Sequence, residues 1–175
     1  MDQESPLSWI ISRRSIRKYS DRVIPDEDIR KILRSAMYAP SAVNCQPWHF
    51  IVVTDKERFE TIMDFHPNAS FLKGASHAIL VCGDEEMQHD QGYYIADCAA
   101  STQNLLLAAH AMGIGSCWIG VYPRVKRVEI FRELFGLPEH IQPFALVSLG
   151  YPTGTKETPE RFSQEKIHYN SWGNQ

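Results

Sequence analysis

The sequence lacks the features that mark membrane, secreted and nucleic-acid-binding proteins. No apolar run approaches the ~18 residues of a membrane span, and no basic start followed by an apolar stretch indicates a secretory signal. Its 18 lysines and arginines stand against 21 aspartates and glutamates. A net charge of −3 is unlike the basic face of a general nucleic-acid binder. We therefore expect a cytoplasmic protein with neither a membrane nor a nucleic acid as its partner.

Motifs for metal ions, nucleotide triphosphates and hydrolytic nucleophiles are also missing. The sequence contains no H-E-x-x-H, no G-x-x-x-x-G-K-[ST] and no G-x-S-x-G, and its seven histidines are scattered singly. The four cysteines have no C-x-x-C spacing, which predicts reduced thiols rather than disulfides or a zinc site. The sequence therefore predicts no bound metal.

What the sequence has is enough apolar material for one domain over residues 1–175. Of its residues 43% are hydrophobic and 11% aromatic, which suits a buried core. Helical and strand patterns alternate, which predicts an α+β protein, and residues 151–175 form an extended C-terminal tail. Periodicity predicts helices over 7–12, 25–38, 56–65, 93–112 and 125–135, and strands over 48–53, 77–83, 116–121 and 144–149.

The longest predicted helix, residues 93–112, is apolar nearly all round and ends before Gly113. Such a helix is buried on every side. Its second side could pack in the core of a monomer or against a second subunit, and the sequence leaves both alternatives open.

Three segments suggest a binding site. If residues 12–19 are extended, Arg13, Ser15 and Arg17 project to one side, where they suit a phosphate or a carbonyl-rich ring. A solvated surface is the alternative. Residues 39–50 form a proline-bracketed loop, which is either a set of fixed polar groups or an ordinary connection. Gly120, near the end of the predicted strand 116–121, suits close approach of a ligand or a β-bulge.

Together these segments resemble the nitroreductase family of FMN-dependent oxidoreductases. The matching pieces, in order over residues 10–172, are R-R-S-I-R-K-Y, A-P-S-A-V-N-C-Q-P-W-H-F, N-L-L-L-A-A-H-A-M-G-I-G-S-C-W-I-G, and S-L-G-Y-P followed by E-R-F-S-Q-E-K-I-H-Y-N-S-W. The resemblance implies a nitroreductase-like α+β fold. It has a central, mostly antiparallel sheet flanked by helices and a long buried central helix at a dimer interface.

The resemblance also implies an FMN site shared between two subunits. The first motif and the tail arginine serve the phosphate and the pyrimidine side of the ring, and the second motif reaches FMN from the partner subunit. Asn68 matches an asparagine that hydrogen-bonds the isoalloxazine edge. The segment of Trp118, Ile119 and Gly120 matches one that lies along a ring face, with the Gly120 N–H at N5. The implied cofactor-binding residues are Arg13, Arg14, Ser15, Arg17, Pro40, Ser41, Ala42, Asn44, Asn68, Trp118, Ile119, Gly120 and Arg161.

The implied activity is ping-pong hydride transfer from NAD(P)H to a small electron acceptor, such as a nitroaromatic compound or a quinone. No side chain is assigned as catalytic. The alternatives are reductive dehalogenation, dehydrogenation, or a non-catalytic flavin-binding or sensing protein. Two positions depart from the family pattern, because Glu160 precedes Arg161 and Phe71 stands three residues after Asn68, where second basic residues are frequent. Lys156 is a candidate substitute.

Overall fold

The structure, a computed structural model, describes residues 6–174. Its strands are β1 (Trp48–Val53), β2 (His77–Asp84), β3 (Gly115–Gly120) and β4 (Ile141–Gly150). Its helices are α1 (Pro6–Ser12), α2 (Asp26–Met37), α3 (Lys56–Phe65), α4 (Tyr93–Ala111) and α5 (Val125–Phe135), with 3-10 turns at Ala42–Asn44, Pro67–Gly74 and Gln164–Lys166. The strands form one antiparallel sheet in the order β1-β2-β4-β3. This confirms the predicted α+β class.

The observed elements match the predicted ones closely, with two differences in the sheet. β4 begins at Ile141, three residues before the predicted start, because its inward positions continue the apolar run of the core. β3 ends at Gly120, one residue before the predicted end, and Gly120 is paired in regular register with Ala145 rather than in a bulge. The register shift of the sheet lies between Val81 and Cys82 of β2.

The sheet is covered by helices on both faces. One core cluster joins the sheet to α2 and α4 through residues such as Ile32, Leu105 and Val147. The other joins it to α3 and α5 through residues such as Phe59 and Phe131. Because both faces are covered, the central strands β2 and β4 are almost continuously apolar, in place of the alternation seen in half-exposed strands.

Helix α4 is buried on one side only. Cys98, Leu105 and Ala109 are fully buried against the sheet and α2. On the opposite side Ala96 is exposed and Leu107 is half-buried. The alternative in which a monomer buries both sides of this helix is therefore wrong, and a single chain leaves one apolar side of α4 uncovered.

Candidate functional site

The segment that follows α1, residues 13–19, lies along the outer edge of β3. The Ile16 N–H donates to the Ser116 carbonyl at 2.9 Å, and Ser15 pairs with Ser116 as a parallel bridge. We call this segment the N-terminal arm. It approaches the sheet closely because glycine stands below it: a Cβ on Gly115 would lie 2.8 Å from the Ile16 side chain.

Three predicted site residues of the arm influence one group on β3. Arg13, Ser15 and Arg17 all act on the Cys117 thiol. Burial raises the pKa of Cys117, whereas the charges of Arg17 and Arg13 and the hydrogen bond from Ser15 oppose that increase. The arm therefore brings two positive charges and a hydroxyl into the neighbourhood of the Cys117 thiol.

The tail brings Arg161 to the same place. Burial and the positive charges of Arg14 and Arg161 lower the pKa of Arg13. The positive charges of neighbouring arginines repel one another, and an anion bound between them would relieve this repulsion. The arrangement therefore fits a phosphate group between Arg13 and Arg161.

Arg14 points to the other side of the arm. Its guanidinium donates to the carbonyls of Arg13, at 2.5 Å, and Glu157, at 3.0 Å. It lines a cavity of about 320 Å³ together with Ser116 and Lys156. Arg14 Nη2 and Ser116 Oγ are buried and find no partner among residues 6–174. Orphaned donors of this kind fit a polar ligand group beside the arm.

The backbone of β3 presents polar groups at this edge. The Ser116 carbonyl points outward to the arm, and in an antiparallel strand alternate residues point the same way. Trp118 and Gly120 therefore also direct their backbone groups outward. The outward direction of the Gly120 carbonyl is shown by its hydrogen bonds, since it accepts from Arg127 Nη1 at 2.9 Å and from His66 Nε2 at 3.3 Å. The Gly120 N–H points from the same edge.

The surface around Gly120 is open and partly aromatic. A Cβ on Gly120 would meet no atom within 4 Å, so a planar group has room to approach the backbone. Trp118 is 36% exposed and packs edge-on against Phe144 at 5.5 Å between ring centroids. Ile119 is buried in the core, and its backbone polar groups point toward β4, where it pairs with Leu146.

Asn68 lies at the border of the same region. It is exposed on the 3-10 turn Pro67–Gly74. Phe71 of that turn lies 5.6 Å from the Arg17 guanidinium, as a cation–π contact. The turn therefore joins the arm, and Phe71 supports Arg17 where the family pattern has a second basic residue. The Lys156 ammonium, which donates to the Ser15 carbonyl at 2.6 Å, adds positive charge there.

The predicted loop residues Pro40, Ser41, Ala42 and Asn44 are not brought to this region. The Ala42 N–H donates to Asp97 Oδ1 at 3.0 Å near the start of α4. The last residue of α1, directly before the arm, meets α4 near its end, where Ser12 Oγ lies 2.8 Å from His110 Nε2. Asp97 and His110 are separated by about 20 Å along a helix. One chain therefore holds the loop and the arm at opposite ends of α4.

The loop is strained and tethered. Val43, Asn44 and Gln46 adopt left-handed backbone angles, with φ of 47°, 60° and 51°. Such residues cost ~1–3 kcal/mol each and persist where the surroundings hold them. The Ser41 hydroxyl accepts from the Gln46 N–H, and Asp97 holds Ala42. The loop is thus fixed in a conformation that the sequence would not adopt alone.

Comparison with known proteins identifies the chain. The model of the nitroreductase family matches residues 10–66 and 60–151. The chain belongs to the nitroreductase family. This confirms the resemblance inferred from the sequence motifs.

Individual members of this family match over nearly the whole chain. A protein of Archaeoglobus fulgidus, provisionally named NADH dehydrogenase/NAD(P)H nitroreductase, is 50% identical over 97% of this chain and 99% of its own. An FMN-dependent nitroreductase of Clostridium difficile has a TM-score of 0.87 and 31% identity, covering 95% and 99%. A provisionally named nitroreductase of Desulfovibrio desulfuricans, solved with FMN, has a TM-score of 0.84 and 30% identity, covering 97% and 99%.

Sequence reasoning missed three residues around the site. Asp97 has a signal that could have been noticed, because it is the sole acidic residue of the apolar helix α4. His66 and Arg127 have none, since a single histidine before a proline and an arginine on an amphipathic helix are ordinary features. They meet at Gly120 only because α3 and α5 pack side by side.

None of the helices within residues 6–174 combines the length and apolar character needed to cross a bilayer. In the same range, no three histidine, cysteine or acidic side chains gather as a metal site requires.

Proposed function

We propose that the protein is an FMN-dependent oxidoreductase that uses NAD(P)H to reduce small acceptors such as nitroaromatic compounds or quinones. The observation that supports this best is the juxtaposition along β3 of a cationic end at Arg13 and Arg161 with an open backbone edge at Gly120. Ser116, beside the arm, and Gly120 are about 14 Å apart along the strand. A ligand with a phosphate at one end and a polar planar ring at the other suits this arrangement.

Each group of residues has a defined task in this proposal. Arg13 and Arg161 hold the phosphate by charge-assisted hydrogen bonds. Arg17, supported by Phe71, and the exposed Asn68 face the pyrimidine edge, where the guanidinium stabilises negative charge. The Gly120 N–H donates to the ring. The chemistry that FMN supplies when bound is hydride transfer between NAD(P)H and the acceptor.

The site has one open side for both reactants. Trp118 forms part of its wall, and its exposed ring suits stacking with planar acceptors. We infer that NAD(P)H and the acceptor occupy this side in turn, which gives ping-pong kinetics. No side chain needs to act as a nucleophile or an acid in this scheme, so no residue is assigned as catalytic.

The site is completed by a second copy of the chain. The loop of Pro40, Ser41, Ala42 and Asn44 is held at the start of α4, whereas the arm follows the contact of Ser12 with the end of α4. The loop of the same chain therefore lies away from the phosphate end of the site, which favours a contribution from a partner's loop. The uncovered side of α4 offers an apolar surface for that partner. In the C-terminal tail, the side chains of Phe162 and Trp172 are 71% and 90% exposed, which suits a tail that packs on another subunit. We therefore propose a homodimer with FMN at its interface.

The visible spectrum of the purified protein tests this function. We expect a yellow protein that bleaches with anaerobic NADPH or NADH and regains its colour when a nitroaromatic compound or a quinone is added. A yellow protein that neither donor bleaches would indicate flavin storage or sensing. A colourless protein that also ignores added FMN would refute the proposal.

A further inference from the structure

The Gly120 carbonyl is clamped by two side chains from different elements. Arg127 Nη1 of α5 donates to it at 2.9 Å, and His66 Nε2, between α3 and the Pro67–Gly74 turn, lies at 3.3 Å. A carbonyl oxygen has two lone pairs, so the two donors occupy both. This carbonyl points away from β4, and its hydrogen bonds come from side chains rather than from a neighbouring strand.

The two donors are themselves held in place. His66 is buried, and its neighbour Phe65 packs edge-to-face against Phe131 of α5 at 5.5 Å between ring centroids. This contact joins the two elements that carry the donors. The His66 carbonyl also accepts from the Ala69 N–H at 2.8 Å and so begins the turn that displays Asn68. His66 therefore connects two predicted ring contacts, Gly120 and Asn68.

The histidine acts as a neutral donor. A carbonyl oxygen can only accept, so Nε2 carries the hydrogen. Nδ1 is buried and has no partner among the described residues, so it has no acceptor for a second proton. Burial and the charge of Arg127 lower the pKa of His66, in agreement with the neutral form.

Gly120 needs such a clamp because glycine has the widest backbone freedom of any residue. Gly120 is the last paired residue of an edge strand, so its N–H can vary in direction more than those of the residues before it. Donors on its carbonyl reduce that freedom before a ligand arrives and so reduce the entropy cost of binding.

We propose that His66 and Arg127 are positioning residues that fix the Gly120–Val121 peptide, and through it the φ and ψ angles of Gly120, so that the Gly120 N–H points from the β3 edge toward the flavin ring. This inference rests on the proposed function, because it takes the Gly120 N–H as a ring donor. It adds two residues to the site, neither of which is expected to touch the cofactor itself.

The test uses the full-length chain and five variants. His66→Leu and Arg127→Met remove the donors, whereas His66→Gln and Arg127→Lys retain an N–H donor. Arg132→Met is the matched control, because Arg132 of the same helix also binds carbonyls, those of Pro138 and Glu139, but away from the site. FMN affinity is measured by fluorescence titration, and the Gly120 amide is followed by NMR in each variant.

We expect the loss of either donor to weaken FMN binding by about 3- to 10-fold, the worth of one ordinary hydrogen bond. The Gly120 amide resonance should shift in both variants. His66→Gln and Arg127→Lys should recover most of the affinity, and Arg132→Met should bind FMN as the unmodified protein does. If His66→Leu does not fold, Arg127→Met and its lysine counterpart decide the question.

The outcomes separate this inference from the proposed function. If the unmodified protein binds no FMN, both fail. If the unmodified protein binds FMN and its Gly120 amide resonance shifts on binding, but the FMN affinities of His66→Leu and Arg127→Met lie within twofold of its own, the inference alone is overturned. Equal weakening by Arg132→Met would also overturn it, because the effect would then be one of general stability.

Discussion

Replacing the arginines of the proposed phosphate site is the most direct test of how the arm and the tail cooperate. Arg13 is half-buried and carries a lowered pKa, caused first by burial and then by the charges of Arg14 and Arg161. Arg161 is exposed on the tail. In the absence of an anion these like charges repel one another. The variants Arg13→Ala and Arg161→Ala each remove one of them.

The expected effects differ in size between the two positions. A charge-assisted hydrogen bond contributes ~1.5–3 kcal/mol, which corresponds to about 10- to 150-fold in affinity. Arg13→Ala should lie in the upper part of that range because its guanidinium is partly desolvated. Arg161→Ala should cost about tenfold, because water screens an exposed charge. It should also leave the FMN-free protein at least as stable as before, since it removes repulsion.

Fluorescence titration of FMN and urea denaturation of the FMN-free protein measure the two effects. Arg30→Ala, which removes an exposed arginine of α2, is the control and should change neither. Raising the salt concentration should weaken FMN binding to the unmodified protein more than to either variant. Unchanged FMN affinity in both variants would refute the assignment of the phosphate site.

Three further predictions concern assembly, pH and the loop. Sedimentation should detect a dimer that loses FMN on dissociation, and a monomer that keeps its FMN would contradict the shared site. Burial is the first cause that lowers the pKa values of His66, His77 and His110 below 6.5, so the unfolded chain binds more protons as the pH falls through that value. The free energy of unfolding should therefore decrease between about pH 7 and about pH 5.5 in urea denaturation, and an increase would contradict this. Asp97→Ala should cost ~1–3 kcal/mol of stability, because it leaves the Ala42 N–H without its acceptor. It should also weaken FMN binding, whereas unchanged affinity would mean that the loop does not reach the site.

The sequence alone predicted most of the fold, because local patterns carry that information. The acidic first turn of α2 and the β-branched run of β1 indicate their elements without reference to the rest of the chain. The arm is extended beside β3, which is the condition under which the sequence places Arg13, Ser15 and Arg17 on one side. The resemblance to the family then implied the cofactor.

Other features depended on which elements pack together, and local sequence holds no record of that. The half-covered state of α4 follows from where α2 and the sheet meet it, so apolar periodicity alone cannot give it. The extended start of β4 reflects burial on both faces of the sheet. Likewise, the left-handed angles of Val43 and Asn44 persist because Asp97, more than fifty residues away in the chain, holds the loop.

The same division applies to the site. Residue types determined which groups could bind an anion or donate to a ring, since a guanidinium or a glycine N–H has that chemistry wherever it lies. Only the tertiary structure decided that the charge of Arg161 acts on Arg13, that His66 and Arg127 meet at Gly120, and that the loop is held at the start of α4. These arrangements are set by the packing of helices on the sheet, a balance of contacts between residues far apart in the chain.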